Sequence, residues 1–409
     1  MKINEKSNDE LSKIKLSEIL DTIENGNRPK GGIKDLDEGV PSLGGEHLTK
    51  LGGFNFKKLR LVSQEYYYSL KRGKIKQNDV LIVKDGATTG KVSFVDEDFP
   101  FQEAAVNEHV FILRGKKDLI HPKFLFYHIF SPFGQLQIMK NFRGAAIGGI
   151  NTQFVKNYYI YLSPLQTQKK IVEILENAEK LKVWRVEADE LADEYLKSVF
   201  LEMFGSPKDN PFKWKLVTVD DIATKVTDGE HKTPKRTKTG IKLLSARNVR
   251  MGHIDFSFGL DYVPTDEYER IKKRCNPEYG DLLISCSGVI IGRVATIKIK
   301  EPLALVRSAA LIKPKKDLIN SLYLEHYLRT DYLQLLMKRS SKASGQPNLF
   351  TGPLKKIPVL LPPLNLQNQF AEIVQKVETL KSYQSQSKKQ IDNLFNTLMQ
   401  KAFKGELVC

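Results

Sequence analysis

The residues best suited to chemistry lie in a glycine-rich, basic loop that occurs twice. Residues 84–91 read Lys-Asp-Gly-Ala-Thr-Thr-Gly-Lys, and their counterpart is 285–293, Ser-Cys-Ser-Gly-Val-Ile-Ile-Gly-Arg. Glycine lets a backbone approach a ligand closely, hydroxyls donate to phosphate oxygens, and basic side chains supply charge. An ordinary glycine-rich hairpin is the alternative. The residues that we expect to contact nucleic acid here are Lys84, Thr88, Thr89, Lys91 and Arg293.

A second pair of loops is turn-forming and basic. Residues 228–236 read Asp-Gly-Glu-His-Lys-Thr-Pro-Lys-Arg, and residues 25–30 read Asn-Gly-Asn-Arg-Pro-Lys. Asn-Gly and Asp-Gly favour tight turns. A histidine such as His231 can contact a phosphate or a base edge. The alternative interpretation, of equal weight, is a solvated histidine in a turn. The predicted contacts are Arg28, Lys30, His231, Lys232, Lys235 and Arg236.

A third pair of segments combines glycine with residue types that recognise bases. These segments are 143–151 and 342–348. Arginine pairs with guanine edges, and asparagine or glutamine pairs with adenine edges. The predicted contacts here are Arg143, Asn151, Gln346 and Asn348, and Arg247 and Asn248 complete the predicted set.

These loops occur twice because the whole chain is duplicated. The pentapeptide Lys-Lys-Asp-Leu-Ile occurs at 116–120 and again at 315–319, an offset of 199 residues. The segment 79–92, with its Asp-Val-Leu-Ile run and two glycines, returns at 281–294. A period this long exceeds that of solenoid repeats. It indicates two domains of similar fold, each with its own core.

Each copy is predicted to be a mixed α/β domain followed by one long helix. Apolar runs at 80–83, 92–95, 110–113, 282–284, 294–297 and 310–312 favour strands. The first long helix is predicted over 163–205, where Ser163 and Pro164 begin it and Gly205 ends it. The second runs from about 362 to 405.

Narrow apolar stripes run along both long helices. The first stripe is Ile171, Leu175, Ala178, Leu181, Ala188, Leu191, Tyr195 and Val199, and the second is Ile373, Val377, Leu380, Gln384, Ser387, Ile391, Leu394 and Leu398. A helix of this length spans roughly 60 Å and is not stable alone with such a stripe. We therefore expect an α+β fold in which two similar domains are separated by an antiparallel coiled coil of the two helices, related by a pseudo-two-fold axis. Gln384 and Ser387 would fix the register, or would mark an imperfect or partner-facing seam.

Composition and charge favour a soluble protein that binds a polyanion. The 409-residue chain has a formal net charge of +16, and residues 206–361 carry 28 Lys and Arg against 16 Asp and Glu. Such an excess suits phosphate neutralisation, although a lysine-rich surface without that role is the alternative. The sequence contains no run of 18 apolar residues and no leader, so no membrane span is expected. Three cysteines without metal-ligand spacing fit a reduced, cytoplasmic setting.

No common catalytic motif is present in the sequence. It lacks a phosphate-binding Gly-x-x-x-x-Gly-Lys-Ser/Thr loop and a Cys/His cluster with zinc spacing. Residues 209–212, Asp-Asn-Pro-Phe, are partly similar to the Asn/Asp-Pro-Pro-Tyr/Phe motif of amino-methyltransferases, but they lack the second proline. A linker turn is the favoured interpretation.

The chain resembles the specificity subunits of type I restriction–modification systems. Residues 163–168, Ser-Pro-Leu-Gln-Thr-Gln, and 362–367, Pro-Pro-Leu-Asn-Leu-Gln, are similar to the family's Leu-Pro-Pro-Leu-x-Glu-Gln. Residues 228–234 and the two 79–92-type segments are similar as well, and the resemblance spans essentially the whole chain. In this chain Thr167 and Leu366 stand where the family has glutamate before glutamine. Arg28 stands where the family's histidine pattern is expected, so the role of His231 is not transferred to the first copy.

The resemblance implies a non-catalytic subunit without a cofactor that reads an asymmetric, bipartite sequence in double-stranded DNA. It implies target recognition domains at 1–162 and 206–361, with a central spacer helix at 163–205 and a C-terminal one at 362–409. The partners implied are two methyltransferase (M) subunits, which use S-adenosylmethionine, and ATP-dependent restriction (R) subunits. The alternatives are a coiled-coil scaffold with incidental charge and a detached DNA methyltransferase or nuclease fragment.

Overall fold

The structure is a computed structural model that describes residues 12–29, 36–144, 148–341, 348–404 and 406. These residues form two compact units. Unit 1 comprises 1–185 with 386–409, and unit 2 comprises 186–385. Each unit therefore contains one sheet-rich domain and one half of each long helix. The domain boundaries given above remain predictions, because the compact units divide the chain within the helices.

Unit 1 begins with nine strands and four shorter helices. Its strands are β1 (Ser12–Lys15), β2 (Leu20–Asn25), β3 (Val40–Leu43), β4 (Leu61–Val62), β5 (Val80–Val83), β6 (Val92–Phe94), β7 (Ala105–Val106), β8 (Val110–Gly115) and β9 (Tyr159–Leu162). Its helices are α1 (Leu16–Ile19), α2 (Gln64–Ser69), α3 (Pro122–Phe130) and α4 (Pro132–Lys140), with a 3₁₀ turn at Thr152–Lys156. The long helix α5 (Leu165–Phe204) then continues into unit 2.

Unit 2 repeats the order of the strands and of most helices, although α1 has no helical counterpart in it. Its strands are β10 (Lys215–Thr218), β11 (Ala223–Asp228), β12 (Ile241–Leu244), β13 (Asp261–Val263), β14 (Leu282–Ser285), β15 (Val294–Thr296), β16 (Leu303–Leu305), β17 (Ala309–Pro314) and β18 (Pro358–Leu361). Its helices are α6 (Thr265–Arg274), α7 (Ser321–Arg329), α8 (Asp331–Ser340) and α9 (Thr351–Lys355), with 3₁₀ turns at Ala246–Asn248 and Gly288–Ile290. The long helix α10 (Leu364–Lys404) ends in unit 1.

The sheets of the two units have the same topology. Unit 1 has sheets ordered β1-β9, β2-β8-β5-β6 and β4-β3-β7, and unit 2 has β10-β18, β11-β17-β14-β15 and β13-β12-β16. In the three-stranded sheets, β3 pairs with β7 and β12 with β16 in parallel. The central strands β5 and β14 are fully buried, as expected of apolar runs covered on both faces. The predicted duplication of an α/β domain is confirmed.

The long helices pack antiparallel within the units. In unit 2, Asp193 pairs with Lys381 at 2.6 Å, and Phe200 lies 5.4 Å from Phe370 between ring centroids. Later residues of α5 therefore contact earlier residues of α10, as antiparallel helices do. In unit 1, Lys182 pairs with Asp392 at 3.0 Å, and Ile171, Leu175 and Ala178 share a core with Phe395, Met399 and Ala402. The predicted pairing of the helices is confirmed within each unit.

The predicted apolar stripes are partly wrong. Leu181, Leu191 and Tyr195 are 41%, 63% and 53% exposed, and Leu380 and Leu394 are also exposed. At these three places on α5 the next residue along the chain, Lys182, Ala192 or Leu196, is buried or half-buried instead. Ile171, Leu175 and Ala178 are buried as predicted, and Ala188 and Val199 are half-buried. The sequence gives the spacing of a stripe, but the choice of face depends on which partner the helix meets.

A buried glutamine fixes the start of each long helix to the preceding domain. Gln168 is fully buried; its Nε2 donates to Leu119 O at 2.9 Å and Ser163 O at 2.8 Å, and its Oε1 accepts from His121 N at 2.8 Å. Gln367 is equally buried and makes the equivalent bonds to Leu318, Pro362 and Asn320. The duplicated glutamine therefore satisfies backbone groups that would otherwise be buried without partners.

Two smaller observations concern membrane association and thiol chemistry. Within the described ranges, no helix is long and apolar enough to cross a membrane. Cys275 and Cys286 are buried free thiols, and burial raises the pKa of each to about 12. They are therefore unreactive packing residues, as expected of buried cysteines.

Candidate nucleic-acid interface

In each unit the loops predicted from sequence meet around a short turn, which we call the hub turn. The hub turn runs from the last residue of β7 to the start of β8 in unit 1, residues 106–109, and from the last residue of β16 to the start of β17 in unit 2, residues 305–308. Equivalent backbone bonds hold them: Asn107 N donates to Leu43 O at 2.9 Å, and Val306 N donates to Leu244 O at 3.0 Å. The chain thus builds the same junction twice.

The glycine of the Asn-Gly and Asp-Gly loops packs directly against the hub turn. A Cβ on Gly26 would lie 1.5 Å from Val106 O, and one on Gly229 would lie 2.3 Å from Leu305 O. No side chain fits at either position without moving the backbone. Beyond the glycine, Glu230 N donates to Leu305 O at 2.7 Å. This contact explains why a glycine is required at the same place in both loops.

The 84–91 loop joins the hub turn of unit 1 to the third segment. Lys84 N donates to His109 O at 2.9 Å, and Ile150 N donates to Lys84 O at 2.6 Å. Asp85 Oδ1 lies 2.5 Å from His109 Nδ1. All three loop types of unit 1 therefore converge at one place.

Unit 2 assembles the same junction with different side chains. Cys286 N donates to Ser308 O at 2.8 Å, and Leu349 N donates to Cys286 O at 2.8 Å. Ala246 N donates to the hydroxyl of Ser308 at 3.1 Å. A cavity of about 390 Å³ opens here, lined by Arg236, Ser245, Arg247, Asp261, Ser287 and Ser308 together with apolar side chains.

The predicted residues of unit 1 differ in how free their side chains are. Arg28 is exposed, with Nε 3.9 Å from Glu108, and Lys84 Nζ lies 3.5 Å from Asp85. The others are tied to nearby backbone: Thr89 donates to Gly86 O, Lys91 donates to Leu48 O, Arg143 donates to Lys140 O and Phe142 O, and Asn151 accepts from Gln153 N. Thr88 is half-buried, with its hydroxyl 2.9 Å from where a Cβ on Gly45 would lie.

The predicted residues of unit 2 include more exposed cationic groups. Arg236 and Arg247 are exposed and share Asp261, whose Oδ2 lies 3.4 Å and 2.7 Å from them. Lys232 and Lys235 are exposed, whereas Arg293 and Asn348 are half-buried. Asn348 forms a bridge to Ser287. Lys30 and Gln346 lie outside the described residues.

Asn248 is fully buried, so its position indicates a structural role. Its Oδ1 accepts from Ser245 N at 3.0 Å, and its Nδ2 donates to the carbonyls of Asp255 and Phe258. We therefore do not propose a DNA contact for Asn248.

His231 is held by charges that fix the 228–236 loop. Its Nε2 lies 2.7 Å from Asp228 Oδ2, and Arg274 Nη2 lies 2.5 Å from Asp228 Oδ1. Burial acts to raise the pKa of Asp228, but the hydrogen bonds from His231 and Arg274 outweigh it, so the pKa lies below its usual value. Asp228 therefore stays ionised and keeps both basic groups at the loop.

Sequence reasoning missed the hub turns and the charged residues beside them. Glu108, His109, Arg307 and Arg274 all lie at or next to the junction. The available signal was a short polar interruption between two buried strands, as at 107–109 and 307–308. That signal does not reveal which distant loops meet there. Among the described residues, no group of three or more His, Cys, Asp or Glu side chains could hold a metal ion.

Comparison with known proteins identifies the family of both units. Residues 8–184 and 211–393 each match the family described as the type I restriction modification DNA specificity domain. The predicted resemblance is confirmed by two matches that together span most of the chain.

Curated relatives and solved structures agree with this assignment. The MjaVIII type I restriction enzyme specificity subunit of Methanocaldococcus jannaschii is 22% identical over 390 residues, covering 91% of this chain and 87% of the relative. The EcoKI specificity subunit of Escherichia coli K12 is 26% identical over 366 residues, covering 82% and 76%.

Two solved structures share the fold. A chain from a study of complex assembly and conformational transition of the type I R-M system aligns with a TM-score of 0.63 at 19% identity, covering 97% of this chain and 98% of that one. The S subunit from M. genitalium aligns with a TM-score of 0.55 at 14% identity, covering 98% of each chain.

Proposed function

Because the chain belongs to the type I restriction modification DNA specificity family, we propose that it is the non-catalytic subunit that selects the DNA sequence in a type I restriction–modification complex. Its target is a bipartite, asymmetric site in double-stranded DNA, and each unit reads one half. Support comes from one observation above all: in each unit, the described parts of three loops of different sequence meet around a hub turn held by equivalent backbone bonds. A fixed junction with variable side chains suits readers of different sequences.

The chemistry of the junctions supports contact with DNA. Positive side chains that neutralise phosphates position a protein on the duplex, and hydrogen-bonding groups on rigid loops read base edges. In unit 2, Lys232 and Lys235 are exposed, and the exposed Arg236 and Arg247 line a cavity that Ser287 and Ser308 also line. We assign phosphate contacts to the lysines and base contacts to the arginines. In unit 1, Arg28, Lys84 and Thr88 take the corresponding roles.

We propose that α5 and α10 act as the spacer that sets the gap between half-sites. Readers on one face of B-DNA need half-sites about one helical turn, roughly 34 Å, apart or a multiple of it. Paired helices are stiff, so the gap should have one fixed length. Adding one helical turn to both helices should lengthen the gap and leave both half-sites unchanged.

The partners in this proposal are two methyltransferase subunits and the restriction subunits. Methyltransferase docking would use apolar side chains that the helix pairing leaves exposed on α5, including Trp184 at 60% and Leu191 at 63%. Large exposed apolar residues on a long helix are typical of protein contacts. A cytoplasmic location follows from the DNA target, and the two buried free thiols fit it.

The experiment is reconstitution with methyltransferase subunits, S-adenosylmethionine and a genomic DNA library, followed by mapping of methylated positions. We expect a single bipartite motif with a constant gap. The isolated chain incubated with labelled S-adenosylmethionine and DNA should show no turnover. Methylation independent of sequence, or turnover by the isolated chain, contradicts the proposal.

A further inference from the structure

One surface ion pair occurs at equivalent positions of both units with its charges exchanged. Equivalence follows from hydrogen bonding. Leu43 and Leu244 each accept a bond from the hub turn, so the following residues correspond. Three residues after these leucines, on the equivalent turns 44–47 and 245–248, Glu46 in unit 1 corresponds to Arg247 in unit 2.

The partner positions correspond by strand register. In unit 1, Ser42 N donates to Arg60 O at 2.8 Å, next to the pairing of β3 with β4. In unit 2, Leu243 is paired with Asp261 in β12 and β13. Arg60 is therefore the counterpart of Asp261.

An ion pair is formed in both units, with the acidic and basic residues in exchanged positions. Glu46 Oε1 lies 3.4 Å from Arg60 Nε, and Arg247 Nη2 lies 2.7 Å from Asp261 Oδ2. The side chains are partly exposed: 48% and 60% for Glu46 and Arg60, and 47% and 30% for Arg247 and Asp261. Exposed ion pairs contribute only about 0–1 kcal/mol, so stability does not dictate which charge sits on the turn.

The turn member of each pair lies beside the hub turn. A Cβ on Gly44 would lie 2.4 Å from Glu46 Oε2 and 2.6 Å from Asn107 Nδ2, so carboxylate and hub amide flank the same point. In unit 2, Arg247 lines the cavity that Val306 and Ser308 of the hub turn also line. The same position thus presents an acceptor in unit 1 and a donor in unit 2.

The guanidinium of Arg247 is held in one orientation by its neighbours. Asp261 binds one edge of its guanidinium, and a Cβ on Gly259, whose φ is +57°, would lie 3.3 Å from Arg247 Cζ. Arg236 binds the same carboxylate oxygen at 3.4 Å. A guanidinium fixed in this way keeps donors for a bidentate contact.

We propose that this exchanged pair determines which base each unit reads at one position of its half-site. Arg247 pairs with O6 and N7 of a guanine, the commonest specific contact of arginine in the major groove. Glu46 accepts a hydrogen bond from the N4 amino group of a cytosine, as carboxylates do. Asp261 and Arg60 are positioning residues that orient the two reading groups. This inference rests on the proposed function and adds the base identities to it.

The test uses charge-exchanged double variants in the reconstituted methyltransferase complex, with methylation mapped as before. Arg247→Glu with Asp261→Arg should remove the guanine requirement at one position of one half-site, with discrimination falling about tenfold to a hundredfold. Glu46→Arg with Arg60→Glu should do the same to a cytosine in the other half-site. Each exchange retains an ion pair. Thermal melting of the Glu46 and Arg60 exchange should therefore match that of the original chain, whereas the Arg247 and Asp261 exchange, which removes the carboxylate that Arg236 faces, should melt slightly lower.

Controls separate the inference from the function that it rests on. Exchanging the exposed pair Asp220 and Lys355, 3.1 Å apart in unit 2, should leave the motif unchanged. The single variants Arg247→Gln and Glu46→Gln should relax one position each, and they replace the double variants if those fail to fold. An unchanged motif in folded, active Arg247 and Glu46 variants overturns the inference alone. A complex without any sequence preference overturns the proposed function.

Discussion

The two units are most alike where side chains hold backbone together and least alike around the hub turns. The glutamine that starts each long helix is the same residue with the same three bonds in both units. By contrast, the hub turn and its neighbours carry Asp85, Glu108 and His109 in unit 1 but Ser287, Arg307 and Ser308 in unit 2. A buried polar group has few acceptable replacements, whereas a solvent-facing one has many. Duplication therefore preserved the support and diversified the proposed reading surface.

The buried aspartate of each unit is partly conserved between the units, because its cationic partner differs. Buried Asp79 binds Arg114 through both carboxylate oxygens at 2.7 and 2.8 Å, and its counterpart Asp281 binds Lys313 at 2.6 Å. Burial raises the pKa of both aspartates, and the bonds to Arg114 and Lys313 only partly offset it. A positively charged partner is therefore present in both units, but it is a planar guanidinium in unit 1 and an ammonium group in unit 2.

The largest expected effect comes from the shared glutamines. Gln168→Leu leaves His121 N and the carbonyls of Leu119 and Ser163 without their partner, so unit 1 should lose about 3 kcal/mol of unfolding free energy at roughly 1 kcal/mol per unpaired group. Gln367→Leu should cost unit 2 a similar amount. Denaturant unfolding measures both.

Neighbouring glutamines supply the control. Gln166 and Gln369 are exposed on the same helix starts, so Gln166→Leu and Gln369→Leu should change the unfolding free energy by less than about 0.5 kcal/mol. Equal effects from the buried and exposed substitutions would contradict the structural role of Gln168 and Gln367.

Acid sensitivity should be shared by both units. Burial lowers the pKa of His128 and of His326 to about 3, so both are neutral in the folded state. An unfolded histidine binds a proton near pH 6.5. The stabilising effect of the neutral form is therefore fully present above pH 6.5 and is lost as the pH falls toward about 3.

The slope of stability against pH gives the measurement. Each histidine should reduce the unfolding free energy by at most about 1.4 kcal/mol per pH unit over this range. His128→Asn and His326→Asn cannot ionise there, so each should flatten the profile measured by denaturant unfolding between pH 7 and pH 4. Profiles parallel to that of the original chain would show that these residues do not titrate on unfolding.

The smallest effect should come from replacing Arg114, the partner of Asp79, with the lysine that unit 2 has at the equivalent position. Arg114 also donates to Glu24 at 3.0 Å and to Lys74 O at 2.8 Å, and a lysine cannot make all of these bonds. Arg114→Lys should therefore destabilise unit 1 by about 1 kcal/mol. Lys313→Arg in unit 2 serves as the reciprocal variant and should not produce a comparable loss. Comparable losses from both variants would indicate that fit to each local pocket matters more than the number of bonds.

Sequence predicted those parts of the fold that depend on local pattern. Both long helices, observed at Leu165–Phe204 and Leu364–Lys404, and apolar strands such as Val80–Val83 and Leu282–Ser285 were predicted close to their observed bounds. The packed face of α5 was not, because Leu181 and Leu191 repeat at seam spacing yet face solvent. Periodicity is a property of one segment, whereas burial depends on its partner.

The candidate interface was predicted as separate loops rather than as an assembled site. Duplication and composition pointed to 84–91 and 228–236, but the hub turns join segments far apart in the chain, such as Lys84 with His109. The exchanged pair was missed for the same reason. Glu46 and Arg247 become equivalent only through strand register, which a single sequence does not reveal.

The central claim is that each unit reads its own half of the target independently. Replacing residues 206–361 with the equivalent segment of a relative, and mapping methylation by the reconstituted complex, tests it most directly. We expect one half-site to change while the other half-site and the gap stay the same. A change in both half-sites, or in neither, would contradict the account.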